Sequence, residues 1–282
     1  MKKSFFRYFP IFVLPTLICF LIAFFVPFVM GIYLSFTKFT TVGNASFVGL
    51  RNYITVFSAS SGFWRAFFFT AAFTLVSTLT VNFFAFLLAL LLTRGKRGTN
   101  FFRTVFFMPN LVGGIVLGYI WQLLINGVLN SFGVDITYAA KYGFWGLVIL
   151  TNWQLIGYMM IIYIAGIQSV PKELHEVAQI DGATAFGELR HVTLPLVAPS
   201  VTICAFLTLT NSFKMFDQNL ALTGGAPGRE TSMLALDIYQ TFYGSVGQEG
   251  VGQAKAVIFF LLVAAIAGAQ LYLSRRSEAK AE

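Results

Sequence analysis

Residues 66–93 read Ala66-Phe-Phe-Phe-Thr-Ala-Ala-Phe-Thr-Leu-Val-Ser-Thr-Leu-Thr-Val-Asn-Phe-Phe-Ala-Phe-Leu-Leu-Ala-Leu-Leu-Leu-Thr93, without a Lys, Arg, Asp or Glu. A hydrocarbon layer about 30 Å thick needs roughly 20 consecutive apolar residues of helix to cross it. This stretch is long enough, and its apolar residues run continuously rather than alternating, so it reads as a helix and not a barrel strand. Outward from it, residues 11–34, 105–125, 145–168, 196–213 and 256–273 have the same property, and none of them carries a charge. The expected fold class is an all-α integral membrane protein with six transmembrane helices.

Composition agrees. Of 282 residues, 57% are hydrophobic and 11% are charged, where soluble domains carry about 25% charged residues. Soluble globular, disordered and disulfide-rich classes are excluded on that ground. Cys19 and Cys204 lie inside apolar runs and read as small buried side chains. With His175 and His191 the only histidines, no Cys/His metal site is expected. The spans hold no acid and no His, so neither an intramembrane catalytic set nor a mid-membrane carboxylate for ion coupling is expected, and no catalytic residue is assigned. A P-loop needs G-x-x-x-x-G-K-[ST], and Gly95-Lys96-Arg97 lacks both the upstream Gly and the Ser/Thr.

The net charge of +8 reads as membrane topology rather than nucleic-acid binding. The first span, preceded by Lys2, Lys3 and Arg7, is too long for a signal-peptide core and has no cleavage pattern, so it reads as a retained helix bent at Pro15 or Pro27. Six spans put both termini on one side. That side, with residues 94–104 and 169–195, collects Lys2, Lys3, Arg7, Arg94, Lys96, Arg97, Arg103, Lys172, Arg190, Arg275, Arg276 and Lys280, most of the 19 basic residues. The positive-inside rule makes it cytoplasmic, with both termini there. The Gly95-Lys96-Arg97 stretch is also expected to meet anionic lipid headgroups. Loops 35–65, 126–144 and 214–255 then face outward, and residues 1–282 read as a single transmembrane domain.

One inner loop differs from the rest. Residues 169–195 read Ser169-Val-Pro-Lys-Glu-Leu-His-Glu-Val-Ala-Gln-Ile-Asp-Gly182, then Ala183-Thr-Ala-Phe-Gly-Glu-Leu-Arg-His-Val-Thr-Leu-Pro195. Pro171 suits a first helical turn, and Glu173 and Glu176 suit its positive end. Leu174, Val177 and Ala178 recur at helical spacing, and Asp181-Gly182 offers a turn before a second short helix. By pattern alone this is an amphipathic connector on the membrane surface or a docking element for another protein.

The order Glu176-Val-Ala, Gly182, Val192 and Leu194-Pro195 resembles the Glu-Ala-Ala loop of ABC-importer permeases, with Val177 in place of the family's first Ala. Asn211-Ser-Phe-Lys-Met-Phe-Asp217, followed by Ala221-Leu-Thr-Gly-Gly-Ala-Pro227, is similar to the end of the fifth span in maltose-type carbohydrate-uptake permeases, as are Phe106-Phe-Met-Pro-Asn110 and the stretch from Trp153 to Tyr158. The resemblance runs from about residue 11 to the C-terminus, without the long outer domain of larger members. It implies a type I ABC importer fold in a bacterial or archaeal inner membrane. It also implies a second permease subunit, a dimer of ATPase subunits carrying ATP and magnesium, and an extracytoplasmic sugar-binding protein. No cofactor is implied in this chain. Glu173, Glu176, Val177, Ala178, Asp181, Gly182, Leu194 and Pro195 are the implied ATPase-coupling residues.

Polar side chains within spans mark partners or wet paths. Thr151, Gln154, Leu155 and Tyr158 share one helical face, as do Ala205, Thr208, Leu209 and Ser212. The maltose-type resemblance makes Thr151, Gln154, Tyr158, Thr208 and Ser212 the substrate-path candidates. Ser and Thr bonding to their own helix, and Gln154 bonding across an interface, is the structural alternative. Asn82 and Asn110 read as interhelical or kink support, Gly114 and Gly118 as a close-packing pair, and Lys214 with Asp217 as an ion pair. A glycerol phosphate permease of the same architecture is the alternative function. It is disfavoured because such a substrate calls for Arg or Lys in the spans.

Overall fold

The computed structural model describes residues 10–94 and 98–278, apart from the side chains of residues 271 and 273–278. Lys2, Lys3, Arg7, Lys96, Arg97 and Lys280 of the inner-face assignment lie outside the described residues. Among the described residues, six helices are long and apolar enough to cross a membrane: Leu14–Leu34, Phe63–Leu92, Gly114–Phe132, Ala140–Gln168, Ala185–Phe213 and Glu249–Gln270. A helix meets the demand of lipid because its backbone polar groups are paired within the segment. The chain divides into two compact units, residues 1–64 with 238–261, and residues 65–237 with 262–282.

In the first unit, α1 (Leu14–Leu34) is apolar on every side and buries nothing within its apolar window, as a lipid-facing helix should. A π-helical turn, Leu21–Phe25, precedes Pro27. Pro27 has no N–H to offer the preceding turn, and widening that turn accommodates the missing bond. Strands β1 (Thr37–Lys38) and β2 (Ser46–Phe47) pair antiparallel. Helix α2 (Arg51–Phe57) is tied to this hairpin by the Asn52 amide, which donates to the carbonyls of Ser35 and Thr37, both at 2.8 Å. The last helix starts at Glu249 and so takes Lys255 inside it, one residue before the charge-free run expected from 256. Lys255 is fully buried, and its ammonium donates to the Ser61 carbonyl at 2.8 Å and to Thr241 Oγ1 at 2.9 Å. A buried cation with such acceptors is tolerated where a bare one is not.

In the second unit, α3 (Phe63–Leu92), from Arg65 onward, runs to the basic loop. Helix α4 (Thr99–Phe107) follows and passes into a 3-10 turn at Met108–Leu111. The run 105–125 is therefore not one helix. Pro109 removes a donor at this point. Val112 and Gly113 then turn extended, with ψ near 130° and 141°, before α5 (Gly114–Leu129) begins. Helix α6 (Ala140–Gln168) carries the unit's core. Its Leu155, Met159 and Tyr163 pack with Val81 and Cys204 in one cluster, and its Leu147 and Leu150 pack with Leu117 and Met215 in another. At Gly157 the helix lies so close to the end of α4 that an added Cβ would overlap the Phe106 carbonyl group.

Beyond these come α7 (Lys172–Ile180) and α8 (Ala185–Phe213). The stretch 214–255, expected as an outer loop, holds two further helices, α9 (Asp217–Leu222) and α10 (Leu234–Gly244). Helix α9 packs on α5 at the Gly114/Gly118 pair, where a Cβ on Gly118 would stand 2.6 Å from that of Ala221. The fold around α9 is pinned by fully buried Asn219. Its amide donates to the Thr231 carbonyl at 2.8 Å, and its Oδ1 accepts from the Met233 N–H at 2.9 Å.

Candidate functional site

The 169–195 segment folds as two helices joined by a tight turn. Pro171 occupies the position just before α7 rather than within it, with ψ near 133°, and Glu173 stands in the first turn beside the positive helix end. The helix ends in a double closure. The Gly182 N–H donates to Gln179 at 3.1 Å and the Ala183 N–H to Ala178 at 2.9 Å. This pattern requires a left-handed residue at Gly182, whose φ is +76°. Thr184 then caps α8, its hydroxyl accepting from the Gly187 N–H at 3.2 Å.

The first turns of α8 contain a π-helical stretch, Leu189–Thr193, immediately before Leu194-Pro195. It is another place where a proline's missing donor is absorbed by a wider turn. Glu173, Glu176, Val177, Asp181, Gly182, Leu194 and Pro195 are exposed, and Ala178 is half-buried. Leu174, Val177, Ile180 and Phe186 add exposed apolar surface, Ile180 at 84%. His175 Nδ1 lies 2.7 Å from Glu188 Oε1, linking α7 to the first turn of α8.

The substrate-path candidates divide. Thr208 is fully buried and belongs to an interhelical chain. The Tyr163 hydroxyl donates to Asn82 Oδ1 at 2.8 Å, the Asn82 amide donates to Thr208 Oγ1 at 3.2 Å, and Thr208 donates to the Cys204 carbonyl at 2.8 Å. Thr151 is fully buried, its hydroxyl 3.9 Å from Met215 Sδ. The Ser212 hydroxyl is buried with no hydrogen-bond partner. Tyr158 is half-buried and packs its ring near Phe107, centroids 6.5 Å apart.

Gln154 alone of the five lines a polar cavity of about 380 Å³, with Asn110, Asn211, Lys214, Asp217 and Gln218 among its neighbours and Phe216 as an aromatic wall. Its Oε1 accepts from the Gln218 amide at 2.9 Å, and its Nε2 is 3.5 Å from the Val112 carbonyl freed by the break before α5. Sequence reasoning does not assign Gln218 or Asn211 to the substrate path, although Asn211 opens the resemblance motif and Gln218 lies within the stretch 211–227. Asn110, expected as kink support, also reaches this cavity. Lys214 and Asp217 both line the cavity without an ion pair between them, which corrects the expected bond. Among the described residues no three His, Cys, Asp or Glu side chains gather as metal ligands.

Residues 81–278 match the family described as the binding-protein-dependent transport system inner membrane component. The chain is 44% identical over 289 residues to the probable starch degradation products transport system permease protein AmyD of Thermoanaerobacterium thermosulfurigenes, covering 98% of each. It is 32% identical over 234 residues to the trehalose/maltose transport system permease protein MalF of Thermococcus litoralis, covering 79% of this chain and 78% of the relative. In fold it is similar to a chain of a bacterial ABC transporter involved in the import of the acidic polysaccharide alginate, with a TM-score of 0.79, 22% identity and 98% of each chain covered. A MetNI methionine ABC transporter chain aligns with a TM-score of 0.57 at 21% identity, over 76% of this chain and 95% of that one. The six apolar helices, the exposed loop at 169–195 and these likenesses lead to one conclusion: the chain is a multi-pass membrane protein of the binding-protein-dependent transport system inner membrane component family.

Proposed function

We propose that this chain is the permease subunit of an ATP-driven type I ABC importer for a sugar or oligosaccharide, with starch-derived glucans as the substrate class. The observation that carries the reading is the near-full-length 44% identity to a permease named for starch degradation products. The cavity at Gln154 supports it. Amide side chains with an aromatic wall suit a neutral sugar, which needs hydrogen-bonding groups and a flat apolar surface together. On this reading Thr151, Gln154, Tyr158, Thr208 and Ser212 belong to the substrate path. Gln154 lines the cavity, and Tyr158 follows one turn further along the same helical face. The buried Thr151, Thr208 and Ser212 act from within the chain.

A second permease subunit completes the path, and an extracytoplasmic sugar-binding protein delivers the substrate. Two ATPase subunits holding ATP and magnesium dock below the permease pair, one of them on Glu173, Glu176, Val177, Ala178, Asp181 and Gly182 of this chain, with Leu194-Pro195 at the base of the driven helix. Both termini and this loop are cytoplasmic, and the assembly sits in a bacterial or archaeal inner membrane. The glycerol phosphate alternative gains Lys214 at the cavity, but Asp217 beside it balances the charge. The test is uptake of labelled maltotriose into proteoliposomes holding the whole assembly, its binding protein and internal ATP. Maltotriose should accumulate, and excess unlabelled glycerol 3-phosphate should not compete. Competition by the phosphate ester, or uptake independent of ATP, would overturn the reading.

A further inference from the structure

We infer that His175 and Glu188 form the clasp through which α7 drives α8, which makes them positioning residues for coupling. The inference rests on the reading of 169–195 as the ATPase-coupling loop. No residue of α7 is fully buried, so packing alone holds this helix only loosely against its neighbours. A helix of this length has little stability of its own in water. Two links join it to α8. One is the turn at Asp181–Thr184, which closes the helix end through backbone bonds alone. The other is the 2.7 Å contact from His175 Nδ1, in the middle of α7, to Glu188 Oε1. The carboxylate can only accept, so the imidazole Nδ1 carries the proton in this contact.

The position of Glu188 gives the contact its consequence. Glu188 lies in the first turn of the helical run Ala185–Phe213, so a displacement of its side chain is applied at the base of that run, just before the π-helical stretch Leu189–Thr193. Thr208 is 20 residues further along the same run, about 30 Å at the helical rise. Behind the clasp lies a cavity of about 570 Å³, lined by Thr93 and Arg94 after α3, Gln168 at the end of α6, Lys172 and His175 of α7, and Glu188 and Thr193 of α8. A push on α7 reaches α8 through the turn and through the His175–Glu188 contact. Arg94 and Lys172 line the same cavity as the carboxylate, and they keep its surroundings cationic.

The experiment uses the complete assembly in proteoliposomes, with maltotriose as the probe and sugar taken up per ATP hydrolysed as the readout. His175→Ala and Glu188→Ala should each lower that ratio by about two- to fivefold, the range for a partly exposed side-chain pair. The subunits should co-purify as in the wild type. The exchange of the two residues, His175→Glu with Glu188→His, should restore most of the ratio, which a purely structural role for either side chain would not do. Wild-type ratios in both single variants, an exchange no better than the singles, or loss of the ATPase subunits from a single variant would each overturn the clasp. Gly182→Trp, measured in parallel, separates the two levels. If it uncouples while the single variants do not, the clasp fails and the coupling loop stands. If it too is neutral, the coupling-loop reading itself falls.

Discussion

Gly182 offers the sharpest separation between strain in this chain and obstruction by a partner. Its φ of +76° is the left-handed conformation that closes α7, and a Cβ built on it meets nothing within 4 Å. Any penalty within the chain is therefore a backbone penalty. A non-glycine residue forced left-handed costs about 1–2 kcal/mol, a factor of about 5–30 in the population of the closed turn. Asn tolerates that conformation better than Ala does. Gly182→Ala should thus lower ATP-driven maltotriose uptake, and Gly182→Asn should lower it less if only strain matters. Gly182→Trp should abolish uptake while the isolated permease keeps its thermal midpoint within the loss seen for Gly182→Ala. Its ring enters space that is open in this chain and that, on the proposed coupling-loop reading, the ATPase occupies. The assay is proteoliposome uptake beside sugar-stimulated ATP hydrolysis, with unfolding of the permease in detergent as the control. Wild-type uptake and hydrolysis in the Trp variant would refute the argument.

Three further outcomes are expected. Gly157→Ala should destabilise the permease by about 1–3 kcal/mol or more, because the added methyl meets the Phe106 backbone, which cannot rotate aside; an unchanged thermal midpoint in detergent would contradict the close crossing of α6 and α4. Asn219→Ala removes the acceptor for the Met233 N–H and the donor to the Thr231 carbonyl, at about 1–3 kcal/mol for each buried group left unpaired, again read as a lowered midpoint. Gln154→Ala and Tyr158→Ala should change the apparent affinity or selectivity for maltooligosaccharides with assembly intact, and wild-type uptake kinetics in both would remove them from the path.

Long charge-free runs are legible in the chain itself because membrane crossing depends on composition over a contiguous window. The helical class and the six apolar helices follow from such windows. Gly182 is recognisable in the sequence because the turn it makes is local: the left-handed residue, its two closing bonds and the helix cap all lie within a few residues. Elsewhere local pattern misleads. The run 105–125 is uniformly apolar, yet Pro109 and the extended Val112-Gly113 interrupt it. The stretch 214–255 resembles an exposed loop because its polar residues break the hydropathy, but fully buried Asn219 and Thr231 satisfy one another's surroundings across twelve residues.

The charge-free spans, the basic loops and the coupling-loop spacing belong to the sequence alone, since each is a property of neighbouring residues. Tertiary structure alone decided that Thr151, Thr208 and Ser212 are buried, that Gln154 meets Gln218 across the chain, and that Asn110, Asn211 and Lys214 join them around one cavity. It also decided that His175 reaches Glu188. A side chain's period along a helix states which neighbours share its face, but which other helix that face meets is set by packing between segments far apart in the chain, where the sequence pattern carries no distance.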